Sequence, residues 1–332
     1  MSEPAKEASV PLASVPAASV PPTSVPKPPL PSRLGRDSPF DFGQRYLTDE
    51  KKVFQHNAWD NVALDEDQIN QIKEKILFQR EHPVTDFDKN RFNSKPEKYW
   101  DIFYKHNHEN FFKDRKWLEI EFPGLYEATK KDSGPKTVLE IGCGAGNTMF
   151  PVLSKNENPL LKMYGCDFSK VAVDLVKQNA DYARLNGSGN CYSSVWDLAN
   201  EEGTLPEGIE PHSVDISVLI FVLSALSPKQ WKSAVINMRK LMKPGGQVVF
   251  RDYGRYDLAQ VRFKKERLLE DNFYIRGDGT RVYFFTEEEI RRIFVEECGF
   301  VEERIAMDRR LLVNRKKELK MYRCWLQGVF RT

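Results

Sequence analysis

The sequence predicts an α/β protein: a Rossmann-like, mostly parallel seven-stranded sheet with helices on both faces, preceded by a helical N-terminal extension. Three observations carry this expectation. From Lys136 onward, short apolar runs alternate with stretches of helical periodicity. Residues 138–147 read VLEIGCGAGN, an apolar run entering three glycines, Gly142, Gly144 and Gly146. Four carboxylates, Glu140, Asp167, Asp197 and Asp252, then fall at or near the carboxyl ends of successive strand candidates, where open α/β sheets bind ligands.

Residues 137–141 make the first strand of that sheet, with a helix after Asn147. Residues 162–166 make the second, followed by a helix over 171–183, and residues 191–195 the third. The very apolar fourth strand spans 214–223, with a helix over 230–242. The turn at Pro244, Gly245 and Gly246 leads into the fifth strand, 247–250, and then Arg251-Asp-Tyr-Gly254. A basic insertion, about 255–281, interrupts the alternation before a helix over 287–298 and closing strands near Ile305 and over 322–330.

The chain divides into a tail of residues 1–39, an extension of 40–132 and a sheet domain of 133–332. In the tail, Ser-Val-Pro recurs from Ser9, Ser14, Ser19 and Ser24; proline removes backbone donors, so this segment reads as disordered. In the extension, Asp65 and Gln68 form a capping box before Ile69, Ile72, Ile76 and Leu77 at helical spacing. A helix over 99–105 places Trp100 and Tyr104 on one face, as a core staple or a lid over the glycine loop.

Composition narrows the function classes. With 40% hydrophobic and 30% charged residues the chain reads as soluble. Its longest apolar run, 218–223, is far short of the roughly 20 residues that span a membrane. The N-terminus lacks the blocks of a secretory signal, and Glu3 and Glu7 argue against a mitochondrial presequence. The five cysteines show no C-x-x-C pairing, which argues against a zinc site and for an intracellular, cytoplasmic protein, with the nucleus as the alternative. Net charge is only +2. Basic residues nevertheless cluster with aromatics over 87–117 and recur over 304–323, which suggests a nucleic-acid partner more than net charge does.

Alternate glycines allow a sharp turn that brings backbone amides against a ligand at a helix N-terminus. A dinucleotide site requires G-x-G-x-x-G; here the third glycine comes one residue early and Glu140 precedes the loop. A carboxylate there suits a cationic, amino-acid-bearing ligand, and S-adenosylmethionine (SAM) is one. Glu140, Gly142, Gly144 and Gly146 are thus candidate cofactor residues. Asp167, 25 residues after Gly142, suits the ribose hydroxyls, and Asp197 with Leu198 the adenine. No metal is expected.

The acceptor is narrowed by what is missing. Residues 220–225 carry no N-P-P-Y type motif for exocyclic amines, and no cysteine follows this strand for carbon-5 chemistry. A ring nitrogen with an in-plane lone pair, such as cytosine N3, requires no base, only a turned-out nucleotide held still. Asp252, Tyr253 and Asp197 are the candidate catalytic or positioning residues. Candidate phosphate contacts are Lys113, Arg115, Arg251, Arg255, Arg262, Lys264, Lys265, Arg276, Arg281 and Lys316. A protein or small-molecule methyltransferase of this fold, and a non-catalytic RNA-binding subunit, are the alternatives.

Several segments together carry a resemblance: KYWDIFY (98–104), FFKDR (111–115), LEIGCGAGN (139–147), CDFS (166–169), LIFVLSA (219–225), FRDYG (250–254) and NFYIRGDGTR (272–281). From residue 42 to about 330 the chain resembles the eukaryotic tRNA 3-methylcytidine methyltransferases. FGQRY (42–46), HNAWDN (56–61) and DRRLLVNR (308–315) resemble the branch acting on threonine tRNA. The resemblance implies a class I SAM-dependent methyltransferase fold and methylation of cytidine 32 in the anticodon loop. It also implies SAM contacts at Trp100, Tyr104, Gly142, Asp167, Asp197, Leu198 and Ile220. Threonine tRNA is then the expected partner, with an aminoacyl-tRNA synthetase or another protein as a further one.

Overall fold

The sheet is built from strands whose runs are apolar on both faces, as a sheet covered by helices on each side requires. The structure, a computed structural model, describes residues 45–109, 113–115 and 117–332. The tail expected over 1–39 lies outside the described residues. Strands β1 (Ala58–Asp60), β2 (Lys136–Ile141), β3 (Leu161–Asp167), β4 (Cys191–Val195), β5 (Val214–Ile220) and β6 (Met242–Tyr253) come first in the chain. Three short strands, β7 (Leu268–Glu270), β8 (Phe273–Ile275) and β9 (Arg281–Tyr283), and a long closing hairpin, β10 (Val301–Asn314) and β11 (Leu319–Arg331), follow.

The main sheet runs β1-β10-β11-β6-β5-β2-β3-β4. From β6 to β4 every pairing is parallel; β11, β10 and β1 add on antiparallel. The seven expected strands are all present, and β1 adds an eighth. Successive residues of the central strands feed opposite faces. Leu139, Leu219 and Phe250 pack on one side with Met238 and Phe294, and Val138, Val218 and Val249 on the other with Met149 and Val176. Phe250 is fully buried, and truncating such a ring to alanine costs about 3–5 kcal/mol.

Some expected elements are shorter than their periodicity suggests. The helix expected over 171–183 stops at Gln178: Asn179 leaves helical geometry with ψ of 137°, and its carbonyl and side-chain oxygens accept from Tyr182 and Asp181 N–H. A second piece, Tyr182–Gly187, follows. The helix expected over 287–298 is helical over Glu287–Arg291 and widens into a π turn over Arg292–Glu296. The fourth strand expected over 214–223 ends at Ile220, because Phe221 turns left-handed with φ of 59°.

The extension wraps the sheet domain. Strand β1 pairs with β10, and Trp59 joins Val53, Leu311 and Val313 in a small apolar cluster. Helix α1 (Glu66–Glu81) opens with the expected capping box, in which Asp65 Oδ1 accepts from Gln68 N at 2.7 Å. Ile72 and Ile76 are buried, whereas Leu77 is exposed. Near its end, the buried Gln79 amide donates to the carbonyls of Gln260 and Phe263 and accepts from the Tyr274 hydroxyl. Helix α1 is thereby tied to the insertion, which folds as the small sheet β7-β8-β9. Helices α2 (Asp86–Ser94) and α3 (Pro96–Asn107) follow. Asp101 of α3 accepts from the Ser169 hydroxyl at 2.6 Å, which fixes α3 beside the carboxyl end of β3.

Candidate cofactor and acceptor site

A cleft of about 890 Å³, counting its open mouth, lies at the carboxyl ends of β2, β3, β4 and β5. Its floor is the glycine loop. Gly142 and Gly144 have φ of +65° and +55°, a region that favours glycine. A Cβ on Gly144 would meet the Tyr104 hydroxyl at 2.6 Å, and one on Gly142 would meet Val222 at 2.5 Å. The loop is therefore left-handed and closely covered at once. Pro96, Trp100 and Tyr104 from α3 form one wall, with the Trp100 and Tyr104 rings stacked 6.1 Å apart. Both rings line the cleft, and Tyr104 also packs in a buried cluster with Phe103 and Ala172.

Asp167, Asp197, Leu198 and Ile220 all line the cleft, as does Gly142. Asp167 Oδ2 accepts from Gly144 N at 2.8 Å and Oδ1 from Ser169 N at 2.9 Å, so the carboxylate closes the loop onto β3. Burial pushes its pKa up to about 6, opposed by those two amides. Asp197 accepts from Ala199 N and is likewise raised, chiefly by burial. Sequence reasoning missed Phe168, Trp196 and Phe221, each beside an assigned strand-end residue and each lining the cleft. For Phe168 and Trp196, adjacency to the strand-end acids Asp167 and Asp197 was the available signal; Phe221, between Ile220 and Val222, offered none.

Glu140 departs from the expected role. It is fully buried behind the loop, where Oε2 accepts from Met149 N at 3.1 Å and Oε1 pairs with Arg115 at 3.0 Å. Burial pushes its pKa up to about 7, and Arg115 pulls against this. Its charge holds the start of the next helix and orients Arg115; it does not face a ligand. Gly146, with φ of +88°, turns the chain into that helix against the Phe150 ring and is not a lining residue.

Asp252 is also inside. Oδ2 accepts from Ser224 N at 2.9 Å and Oδ1 from Tyr253 N, and burial pushes its pKa up to about 6. It positions the turn after β5 and the end of β6, and its carboxylate is fully buried. Tyr253 is half-buried against Phe221, with ring centroids 4.8 Å apart, and the Arg276 guanidinium lies 5.4 Å from its ring centre.

The expected phosphate contacts divide into two groups. Lys113, Arg262, Lys264, Lys265 and Lys316 are exposed. Arg251 is buried: it pairs with Asp308 at 2.6 Å, bonds Gln327, and lies between the Trp117 and Trp325 rings. No phosphate reaches it. Arg255 is taken up by a two-pronged pair with Glu289 at 3.0 Å. Arg115 lines the cofactor cleft beside Glu140 and Thr148. Arg281 lines it too, reaching Ala225 O and Asn93, and burial lowers its pKa to about 10. For these four the pairing partners lie far along the chain, so sequence position alone does not reveal the pairings.

The family described as "Methyltransferase domain" matches residues 139–248, the span that holds the glycine loop and β5. The "tRNA(Thr) (cytosine(32)-N(3))-methyltransferase" of Saccharomyces cerevisiae is 60% identical over 299 residues, 90% of this chain. The chain spans 47% of that protein's length. The "tRNA N(3)-methylcytidine methyltransferase trm140" of Schizosaccharomyces pombe is 49% identical, over 87% of this chain and 91% of its own. The chain belongs to the tRNA N3-methylcytidine methyltransferase family. A third member, "tRNA N(3)-cytidine methyltransferase METTL2" of Danio rerio, is 42% identical over 87% of this chain and 88% of its own.

The residues present fit SAM, the cofactor of this family. The cleft joins a left-handed glycine loop to two strand-end carboxylates, and the ring wall of α3 covers it. Among the described residues there is no group of three or more His, Cys, Asp or Glu arranged to hold a metal ion, and no helix is long and apolar enough to cross a membrane.

Proposed function

We propose that this protein methylates N3 of cytidine 32 in the anticodon loop of threonine tRNA, using SAM. The observation that carries the reading is the cleft: a glycine loop covered by Trp100 and Tyr104, opening past Phe221 toward Tyr253 at the end of β6. SAM, when bound, would supply a methyl group on a cationic sulfur; its transfer to the N3 lone pair would break the S–CH3 bond, release a neutral thioether and leave the methylated base cationic. No proton is lost from N3, so no general base is required. Catalysis then rests on alignment and on exclusion of water.

The chain's own groups divide that work. Asp167 holds the loop closed through Gly144 N, and its remaining lone pairs would take the ribose hydroxyls. Asp197 and Leu198 meet the adenine, and Ile220 supports the base of the cleft. Asp252 fixes the Ser224 and Tyr253 amides, which positions the acceptor side. Cys143 lines the cleft, but burial pushes its thiol well above the ordinary range. A thiolate nucleophile for carbon-5 chemistry is thus disfavoured. The exposed Lys113, Arg262, Lys264, Lys265 and Lys316 contact phosphates. A cytoplasmic location and a synthetase or other protein partner belong to the same reading. A non-catalytic subunit would have no use for a complete cleft.

The purified protein should produce 3-methylcytidine when incubated with SAM and tRNA from cells lacking this modification, read by digestion and nucleoside quantification. SAM binding without 3-methylcytidine would overturn the reading.

A further inference from the structure

Phe221 stands out among the cleft residues. It is one of the described non-glycine residues with positive φ, at 59°, and it follows β5 directly. A bulky residue in that region is strained, and such strain persists where the surroundings over-determine it. Two contacts do so. The Phe221 N–H donates to Arg251 O at 2.8 Å, and the ring lies 4.8 Å from that of Tyr253 at 45°. Left-handed backbone turns the side chain away from the line of the strand. Its ring is thereby shared: it lines the cofactor cleft on one side and meets Tyr253 on the other.

Tyr253 is itself held. Its ring packs against Phe284 of the insertion, centroids 5.6 Å apart, and Arg276 lies over it at 5.4 Å. Among the described residues no carboxylate lies within ion-pair distance of Arg276. Arg276 belongs to the turn between β8 and β9, closed by its own N–H to Thr280 O and by Gly279 N–H to its carbonyl. The insertion thus reaches back to brace the aromatic corner at the cleft mouth.

We propose that Phe221 is the stacking surface for the methyl-accepting base, and that Tyr253 and Arg276 are positioning residues that hold its ring at the boundary with the cofactor. The proposal rests on the nucleobase acceptor assigned above and specifies where that base lies. A ring at the shared wall sets the base plane, which directs the in-plane N3 lone pair toward the methyl donor. A π face is required; apolar volume alone is insufficient.

Phe221→Leu keeps volume and removes the π face, and Phe221→Tyr keeps both. Phe221→Leu should lower kcat/KM for tRNA roughly 10- to 100-fold, in line with the worth of one base–aromatic stack. Its SAM affinity, measured by calorimetry, should stay within about 2-fold, because stacking energy is confined to the acceptor. Phe221→Tyr should restore the rate. Arg276→Ala should lower kcat more than it raises KM, since it removes alignment and no base contact. If Phe221→Leu methylates as well as the natural protein, or loses SAM affinity in step with activity, Phe221 is only a cofactor wall and the proposal fails. An inactive natural protein that still binds SAM would instead overturn the acceptor reading itself.

Discussion

The arginines paired inside the protein and the lysines of the outer surface look alike in the sequence and behave oppositely in the structure. Arg115, Arg251, Arg255 and Arg281 are committed to Glu140, Asp308, Glu289 and a set of carbonyl and amide oxygens. Lys113, Lys264, Lys265 and Lys316 stand in solvent. Arginine's planar, always-charged fork suits the first task, and a hydrated ammonium suits the second. A basic residue near an active site therefore builds the site when buried acids surround it, and is available to RNA only when they do not.

The largest effect should come from breaking the interior set. Arg251→Ala removes the nearer of the two arginines paired with the fully buried Asp308 side chain, leaving Arg310 at 3.0 Å. Removing one member of a buried pair costs about 3–5 kcal/mol. Chemical denaturation should show that destabilisation with or without tRNA present. An unchanged midpoint would mean that Arg251 is not structural.

Next comes the cofactor floor. Asp167→Ala should abolish SAM binding in calorimetry while the fold persists by circular dichroism; near-normal affinity would remove Asp167 from the ribose assignment. The same carboxylate gives a pH dependence. Its pKa is raised to about 6, so the free protein holds a proton there at pH values where an ordinary aspartate has released it. Binding to hydroxyl donors favours the ionised form, so SAM affinity should fall as pH drops through about 6 and level off above it. For folding the sign is opposite: between about pH 4 and 6, stability contributed by this group falls as pH rises, because the folded state holds the extra proton.

A smaller effect should follow from the outer set. Lys264→Glu with Lys265→Glu should weaken tRNA binding and flatten its salt dependence, by about 0.7–0.9 in slope for each lysine–phosphate pair removed. The thermal midpoint and SAM affinity should not move. Smallest is Asp65→Ala at the α1 capping box, at about 1 kcal/mol by denaturant melt.

The strand–helix alternation, the glycine loop, the strand-end acids and the Trp100–Tyr104 face were all legible, because each is a local pattern with fixed spacing. The capping box at Asp65 was legible for the same reason. The internal pairs were not. Arg251 meets Asp308 57 residues away, and Arg281 meets Asn93 across 188, so only the tertiary fold reveals them. Strand β1 is three residues long and too short to announce itself. Phe221 was hidden by its neighbours: a phenylalanine in an apolar run reads as one more strand residue until its φ is known.

The central claim concerns the acceptor atom, and one comparison addresses it. Two threonine tRNAs differing only at position 32, cytidine against uridine, would be incubated with the protein and SAM and mapped for methylation. The account predicts 3-methylcytidine at position 32 of the first and no methyl group on the second. Equal labelling of both, or labelling elsewhere in the first, would contradict it.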